Sequence, residues 1–212
     1  MNISIRGYGM KTKEKILRES LKLFAMKGFN EISLNELAEN VGIKAPSLYK
    51  HYKSKQDIFS HCIEYFRCQL EEKRENLSLP KNGENSKVYA DKSREEIINI
   101  AIDLFKYHLL DPVASNFRKM LLKDRYNNQE IDDLYMEIFI KSPIEYQKIV
   151  FQYLMDNDYF IKDDVQTMAI NFYTPIFFLI QKYDTNIESI NEGEKELSEI
   201  MNDFCDRYEV KK

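Results

Sequence analysis

Lys44, Lys50, His51, Lys53 and Lys55 fall between Glu39 and Asp57, and no acidic residue interrupts them. Tyr49 and Tyr52 lie among these lysines. Phenolic hydroxyls bond phosphate oxygens, as ammonium groups do. The grouping suits one chemistry above others, the non-covalent capture of a polyanion, with duplex DNA the obvious candidate. A merely solvated basic face is the bland alternative, and it leaves the two tyrosines unexplained. The whole-chain net charge of −4 speaks against nucleic acid, but its distribution does not. Residues 1–60 hold 11 Lys+Arg against 6 Asp+Glu, a net of +5, and the remaining residues hold 20 against 29, a net of −9. A local basic face, not the overall pI, sets attraction to phosphate, so the acidic remainder is expected to point away from DNA.

Other chemistry is poorly provided for. The histidines His51, His61 and His108 are far apart in sequence, and none completes a Glu-x-x-His or His-Glu-x-x-His metal motif. There is no phosphate-cradling glycine loop and no Gly-x-Ser-x-Gly elbow. Asp132-Asp133 and Asp163-Asp164 are adjacent pairs, so they do not share a face and read as helix starts. No catalytic residue, metal site or cofactor is therefore expected, and the chain does not read as an enzyme. Cys62, Cys68 and Cys205 form no Cys-x-x-Cys pair and are odd in number, which reads as reduced, partly buried thiols. No run of about 18 apolar residues appears, so no membrane span is expected. Residues 1–10 lack an apolar signal core, which leaves a cytoplasmic protein as the expectation.

The basic cluster needs elements to position it. Ile16, Leu17, Leu21, Phe24 and Ala25 recur at helical spacing from Lys11 to Lys27, and Gly28 suits a left-handed cap. Ser33-Leu34-Asn35-Glu36 is a capping box opening a helix with Leu34, Leu37, Ala38 and Val41 inside. Gly42 ends it, and Pro46 suits the first turn of the next short helix. Ser54-Lys55-Gln56-Asp57 has the form of a second capping box. Small Ala38, then Gly42, with Val41, Ile43 and Leu48 as apolar pins, meet the packing demands of a helix-turn-helix together.

With these pieces in place, residues from about 14 to 59 resemble the DNA-binding domain of the TetR family of bacterial transcriptional regulators. The matching pieces are Lys15-Ile16-Leu17, Leu23-Phe24, Lys27-Gly28-Phe29, Leu37-Ala38, Gly42-Ile43, Leu48-Tyr49-Lys50-His51-Tyr52 and Ser54-Lys55. The resemblance implies that Ser33 caps the first motif helix and bonds a phosphate. It implies that Lys44, Ala45, Pro46 and Ser47 face base edges, and that Tyr49, Lys50 and His51 sit against the backbone. It places Lys55 on a phosphate at a helix N-terminus, where the dipole favours an anion. Two positions depart from the family pattern. Tyr52 stands where Phe is more usual, and Lys44-Ala45 reverses a common order of small hydroxyl then basic residue. Arg6, in the arm of residues 1–10, is either a minor-groove contact or part of a disordered tail.

The rest of the chain also reads as helical, giving an all-α protein. A three-helix helix-turn-helix domain (1–55) is expected to precede a larger helical ligand-binding and dimerisation domain (56–212), with a linker loop near 80–90. Helices are expected over Ile97 to Leu110, from Pro112 to about Arg125, from about Glu130, to about Asp156 beyond Ser142-Pro143, over Val165 to Tyr183 and from Glu188 to about Tyr208. The Val165–Tyr183 segment is apolar nearly all round. It suggests a four-helix bundle across a two-fold axis, with Val165, Met168, Phe172, Ile176, Leu179, Leu197, Met201 and Phe204 at a homodimer interface; a central core helix of a monomer is the alternative. A pocket for an apolar or aromatic small-molecule effector is sought among Tyr107, His108, Phe117, Met120, Leu121, Tyr135, Phe139, Tyr146, Phe151 and Phe172, each of which would serve equally as core. The expected function is a ligand-responsive homodimeric repressor of a (pseudo)palindromic DNA operator. The alternative is a DNA-bound protein whose helical domain binds a protein partner.

Overall fold

Glycines at positive φ and side-chain caps set where the helices of this chain stop and start. The computed structural model describes residues 8–80 and 86–210, with side chains from residue 12. Arg6 and residues 81–85 of the linker expected near 80–90 lie outside those residues, while Lys87–Ala90 of that stretch are helical. The described residues form eleven α-helices and no strand, only an isolated antiparallel bridge between Phe160 and Glu209.

Helix α1 (Tyr8–Lys27) closes at Gly28, whose φ of 95° is left-handed and whose N–H returns to Phe24 O at 2.9 Å. Helix α2 (Leu34–Val41) closes at Gly42, φ 78°. There Ile43 N–H donates to Ala38 O and Gly42 N–H to Glu39 O, the paired bonds of a Schellman cap. Ser33 Oγ accepts from Glu36 N–H at 3.1 Å, but the expected reciprocal bond is replaced, because Glu36 holds Lys27 Nζ at 2.6 Å. Helix α3 (Ala45–Tyr49) is five residues long, with Pro46 in its first turn. Helix α4 (Lys55–Asn76) starts with Asp57 N–H on Ser54 Oγ, while the Asp57 carboxylate accepts from Lys53 N–H.

Beyond these lie α5 (Lys87–Ala90), α6 (Arg94–Leu110), α7 (Pro112–Asp124) and α8 (Gln129–Met136). A π-helical stretch, Glu137–Lys141, then leads into α9 (Ser142–Asp156), followed by α10 (Val165–Tyr183) and α11 (Ile190–Tyr208). Helix α6 begins three residues before the expected Ile97, because Ser93 and Glu96 form a full capping box.

The chain divides into two compact units. Residues 1–70 with 112–133 make one; residues 71–111 with 134–212 make the other. In the first, α1 packs on α2 and α7, and Phe66 stacks on Phe117 with ring centroids 4.1 Å apart. In the second, α10 packs on α6, α9 and α11 around Phe105, Phe151, Phe172, Leu179, Leu197 and Phe204.

Candidate nucleic-acid interface

Burial sorts the α2–α3 segment into an inner and an outer side. Leu37, Ala38, Val41 and Leu48 are buried, Val41 and Leu48 completely, and Ile43 is half-buried. On the outer side Ser33, Lys44, Pro46, Tyr49 and Lys50 are exposed, and Ala45, Ser47 and His51 are half-buried. Tyr49 keeps 55% of its surface exposed although it is a large aromatic. Helix α3 therefore carries one anchor, Leu48, and presents nearly everything else outward.

Tyr52 belongs to the inner side. Its ring is buried, its hydroxyl lies 3.4 Å from Lys13 O, and it packs edge-on to His61. Burial, chiefly, raises its pKa, so the phenol stays a proton donor. His61 sits on α4 beside Asp57 and takes no part in the outer face.

Lys55 is arranged differently from the role its resemblance implies. Its ammonium turns back onto the α1–α2 turn, donating to Phe29 O at 2.7 Å and Ile32 O at 2.9 Å, with Asn30 O at 3.4 Å. It also lies 4.5 Å from the centre of the Phe29 ring. An ammonium has three donors, and three carbonyls occupy them here. The other side of the same turn is held from α7. Asp124 Oδ2 accepts from Phe29 N–H at 2.7 Å, and Asp124 Oδ1 would lie 3.2 Å from a Cβ placed on Gly28. Ninety-five residues separate Phe29 from Asp124, so no local pattern in the sequence announces this bond.

The expected pocket residues fall in both units. Phe117, Met120 and Leu121 are buried in the first unit, and the others belong to the second. Phe151 and Phe172 pack against each other and against Phe204 as filled core. The Tyr146 hydroxyl is 2.7 Å from that of Tyr89 and 3.1 Å from Pro80 O. Tyr107, His108, Phe139 and Tyr135 do come together, in a chain of ring contacts 5.2–5.8 Å between centroids. Tyr173 closes this group. Pro143 has no N–H to offer the Phe139 carbonyl four residues earlier, and the Tyr173 hydroxyl takes it at 2.6 Å. A cleft of about 220 Å³ in the same unit is lined by Tyr89, Lys92, Arg94, Tyr159, Phe160 and Glu209 among others, and by none of the expected residues.

The residues expected at a dimer interface pack mostly inside the single chain. Met168, Phe172, Ile176, Leu179, Leu197, Met201 and Phe204 are buried within a single chain, and Val165 is half-buried. Helix α10 is apolar on two sides, and these residues form the side that fills the protomer's own core. Its outward side carries Ile170, Thr174 and Phe178, spaced four apart, with Ile170 at 40% and Phe178 at 59% exposure.

Cys62 and Cys205 are buried and Cys68 is exposed. Burial raises the pKa of both buried thiols, that of Cys205 to about 12 with help from nearby Glu209, so neither is a thiolate at neutral pH. Among the described residues no group of three or more His, Cys, Asp or Glu is placed to hold a metal ion. No described helix is long and apolar enough to cross a membrane.

Residues 16–62, which contain this outer face, match the family model for bacterial regulatory proteins of the tetR family. The chain is 27% identical over 132 residues to the uncharacterized HTH-type transcriptional regulator YerO of Bacillus subtilis, covering 61% of this chain and 42% of YerO. It is 36% identical over 58 residues to IcaR of Staphylococcus epidermidis, the negative transcriptional regulator of the biofilm operon icaADBC, covering 26% of this chain and 31% of IcaR. The matches thus span less than half the length of these curated relatives. Similarity of fold extends further. The solved SmeT–triclosan complex superposes with a TM-score of 0.70 at 13% identity, covering 94% of this chain and 92% of SmeT. The helix-turn-helix segment thus matches the tetR-family model, and the all-helical fold of the chain resembles that of the solved SmeT structure.

Proposed function

We propose that the protein is a homodimeric, ligand-responsive repressor that binds a (pseudo)palindromic DNA operator through α2 and α3. One observation carries this reading: α3 is pinned by Leu48 alone and leaves Lys44, Pro46, Tyr49 and Lys50 facing outward beside an exposed Ser33. Lys44, Ala45, Pro46 and Ser47 read base edges in the major groove, and Ser33, Tyr49, Lys50 and His51 hold the phosphates. Lys55 supports the site from behind, by bracing the turn that leads into α2. IcaR, described as a negative regulator, favours repression over activation.

Two copies are needed because half-sites read by this motif lie about 34–36 Å apart. The outward side of α10, with Ile170, Thr174 and Phe178, is the surface assigned to the second copy. The effector is an apolar or aromatic small molecule that engages the Tyr107, His108, Tyr135 and Phe139 group; SmeT, solved with triclosan, supports an effector of that class. To move the protein from 1:99 to 99:1 between DNA-competent and incompetent states, the effector must prefer one by about 5.5 kcal/mol.

Genome-wide footprinting of the purified protein, with sedimentation of the same sample, tests this reading. Protected sites with two-fold symmetry and a dimeric particle are expected. Scattered protection without symmetry, at a concentration where the protein is dimeric, overturns the operator reading. A monomer that still protects discrete sites favours the second reading, in which the exposed apolar side of α10 binds a different protein.

A further inference from the structure

We propose that Lys15, on α1, is a phosphate clamp for the helix-turn-helix, a role that rests on the DNA-binding reading above. The α2–α3 turn is open on its outer side. Gly42 is exposed, and among the described residues beyond its two chain neighbours a Cβ built on it would meet one heavy atom within 4 Å, the Lys15 ammonium at 4.0 Å. A residue 27 positions upstream in the chain thus places a positive charge over the turn that delivers Lys44 and α3. Lys15 is exposed and makes no hydrogen bond or ion pair among the described residues. Elsewhere in the same unit Lys27 is committed to Glu36 and Lys55 to three carbonyls.

An uncommitted ammonium on a four-carbon stem reaches a phosphate without demanding a fixed geometry. Phosphates flank the groove that receives α3, so a charge beside the entry to α3 lies at the edge of the footprint. One competing role exists. Helix α2 ends at Val41 with no basic residue in its last turn, and a nearby cation would offset the negative end of its dipole. That role would stabilise α2 and leave the salt dependence of DNA binding unchanged.

The test uses the full chain and a fluorescein-labelled duplex of about 30 base pairs of mixed sequence, titrated between about 50 and 200 mM KCl. K15Q should lower the slope of log affinity against log salt by about 0.9, so that its deficit relative to wild type shrinks roughly 3.5-fold across that range. K15R should retain the wild-type slope, since it keeps the charge. K50Q, at a proposed phosphate contact of the outer face, should also lose slope. If K50Q loses slope and K15Q does not, Lys15 is no clamp while the DNA reading stands. A K15Q variant with a lower Tm and an unaltered slope assigns Lys15 to the α2 terminus instead, and overturns the proposal. If the wild-type protein binds no duplex, or K50Q also keeps its slope, the outer-face reading fails and takes Lys15 with it.

Discussion

The α2–α3 segment and the α10–α11 pair both end in exposed surface, but they reach it by opposite routes. Helices α2 and α3 are 8 and 5 residues long, and each buries a single narrow side. What they leave outside is polar and basic, with one exposed aromatic ring, Tyr49. Helix α10 is 19 residues long and buries Met168, Phe172, Ile176 and Leu179, yet still exposes Ile170 and Phe178. An outward charge seeks a polyanion, whereas an outward phenylalanine seeks another apolar surface. The same chain therefore presents two exposed faces with different physics, and the two proposed interactions can be tested one at a time.

Leu48→Ala should have the largest effect. Leu48 is the sole buried residue of α3 and is fully enclosed, so the truncation should cost about 2–5 kcal/mol, and no neighbour within α3 can compensate. DNA binding should vanish while amide protection in α10 stays at its wild-type level. Hydrogen exchange resolved by helix would check this; equal loss of protection in both regions would show that the two faces are not separable. Phe178→Glu attacks the other side of the comparison. The buried side of α10 is untouched, so the protomer should stay folded, but self-association should weaken by about 2 kcal/mol or more, with only the concentration-dependent part of the Tm lost. Met168→Glu, aimed at the protomer core, should instead unfold the chain. Sedimentation beside melting distinguishes the two, and an unfolded Phe178→Glu protein would return Phe178 to the core.

How much of this was legible in the sequence follows from the range of the interactions. The α2–α3 segment is specified by contacts within five residues: Ser33 to Glu36, Ala38 to Ile43, Glu39 to Gly42. Caps and left-handed glycines are local, so residue type and spacing are enough to place them. For α10 the apolar pattern is nearly continuous, and periodicity alone cannot say which apolar side fills the protomer and which faces a partner. Met168, Phe172 and Leu179 fill the core of a single chain, and Ile170 and Phe178 are left on its exposed side, for that reason. Lys55 shows the same limit at one side chain. Its place at a helix N-terminus was readable, but its direction depends on Phe29 and Ile32 carbonyls more than 20 residues away.

Lys55→Met sharpens the comparison at intermediate size. It keeps the aliphatic stem and removes the ammonium that joins α4 to the α1–α2 turn. Because the group is only half-buried, its charged hydrogen bonds should be worth about 1–2 kcal/mol together. Tm should fall accordingly, while the salt slope for DNA should change by less than about half a unit. A slope lowered by about 0.9 with an unchanged Tm would mean that the ammonium leaves the carbonyls for a phosphate, as the family resemblance implies.

Acid provides the gentlest test, because it acts on both units through groups outside α2 and α3. Glu14 is held below the usual glutamate range by bonds from Arg18 and then from the Tyr65 hydroxyl, which tie α1 to α4. Asp164 is held below the usual aspartate range by Thr167, whose N–H it caps at the start of α10. Both pKa values are lower in the folded state than in the unfolded one. The stability they contribute is therefore fully present above the ordinary values, 4.5 for Glu14 and 3.8 for Asp164, and is lost as pH falls through the lower folded values. Tm should stay level from pH 7 to about 5 and decline below about 4. Asp164→Asn should lower the neutral-pH Tm slightly and flatten that decline for α10, leaving the α1–α4 contact to titrate as before. Parallel acid declines in Asp164→Asn and wild type, followed by hydrogen exchange at α10, would show that the cap contributes nothing to pH sensitivity there.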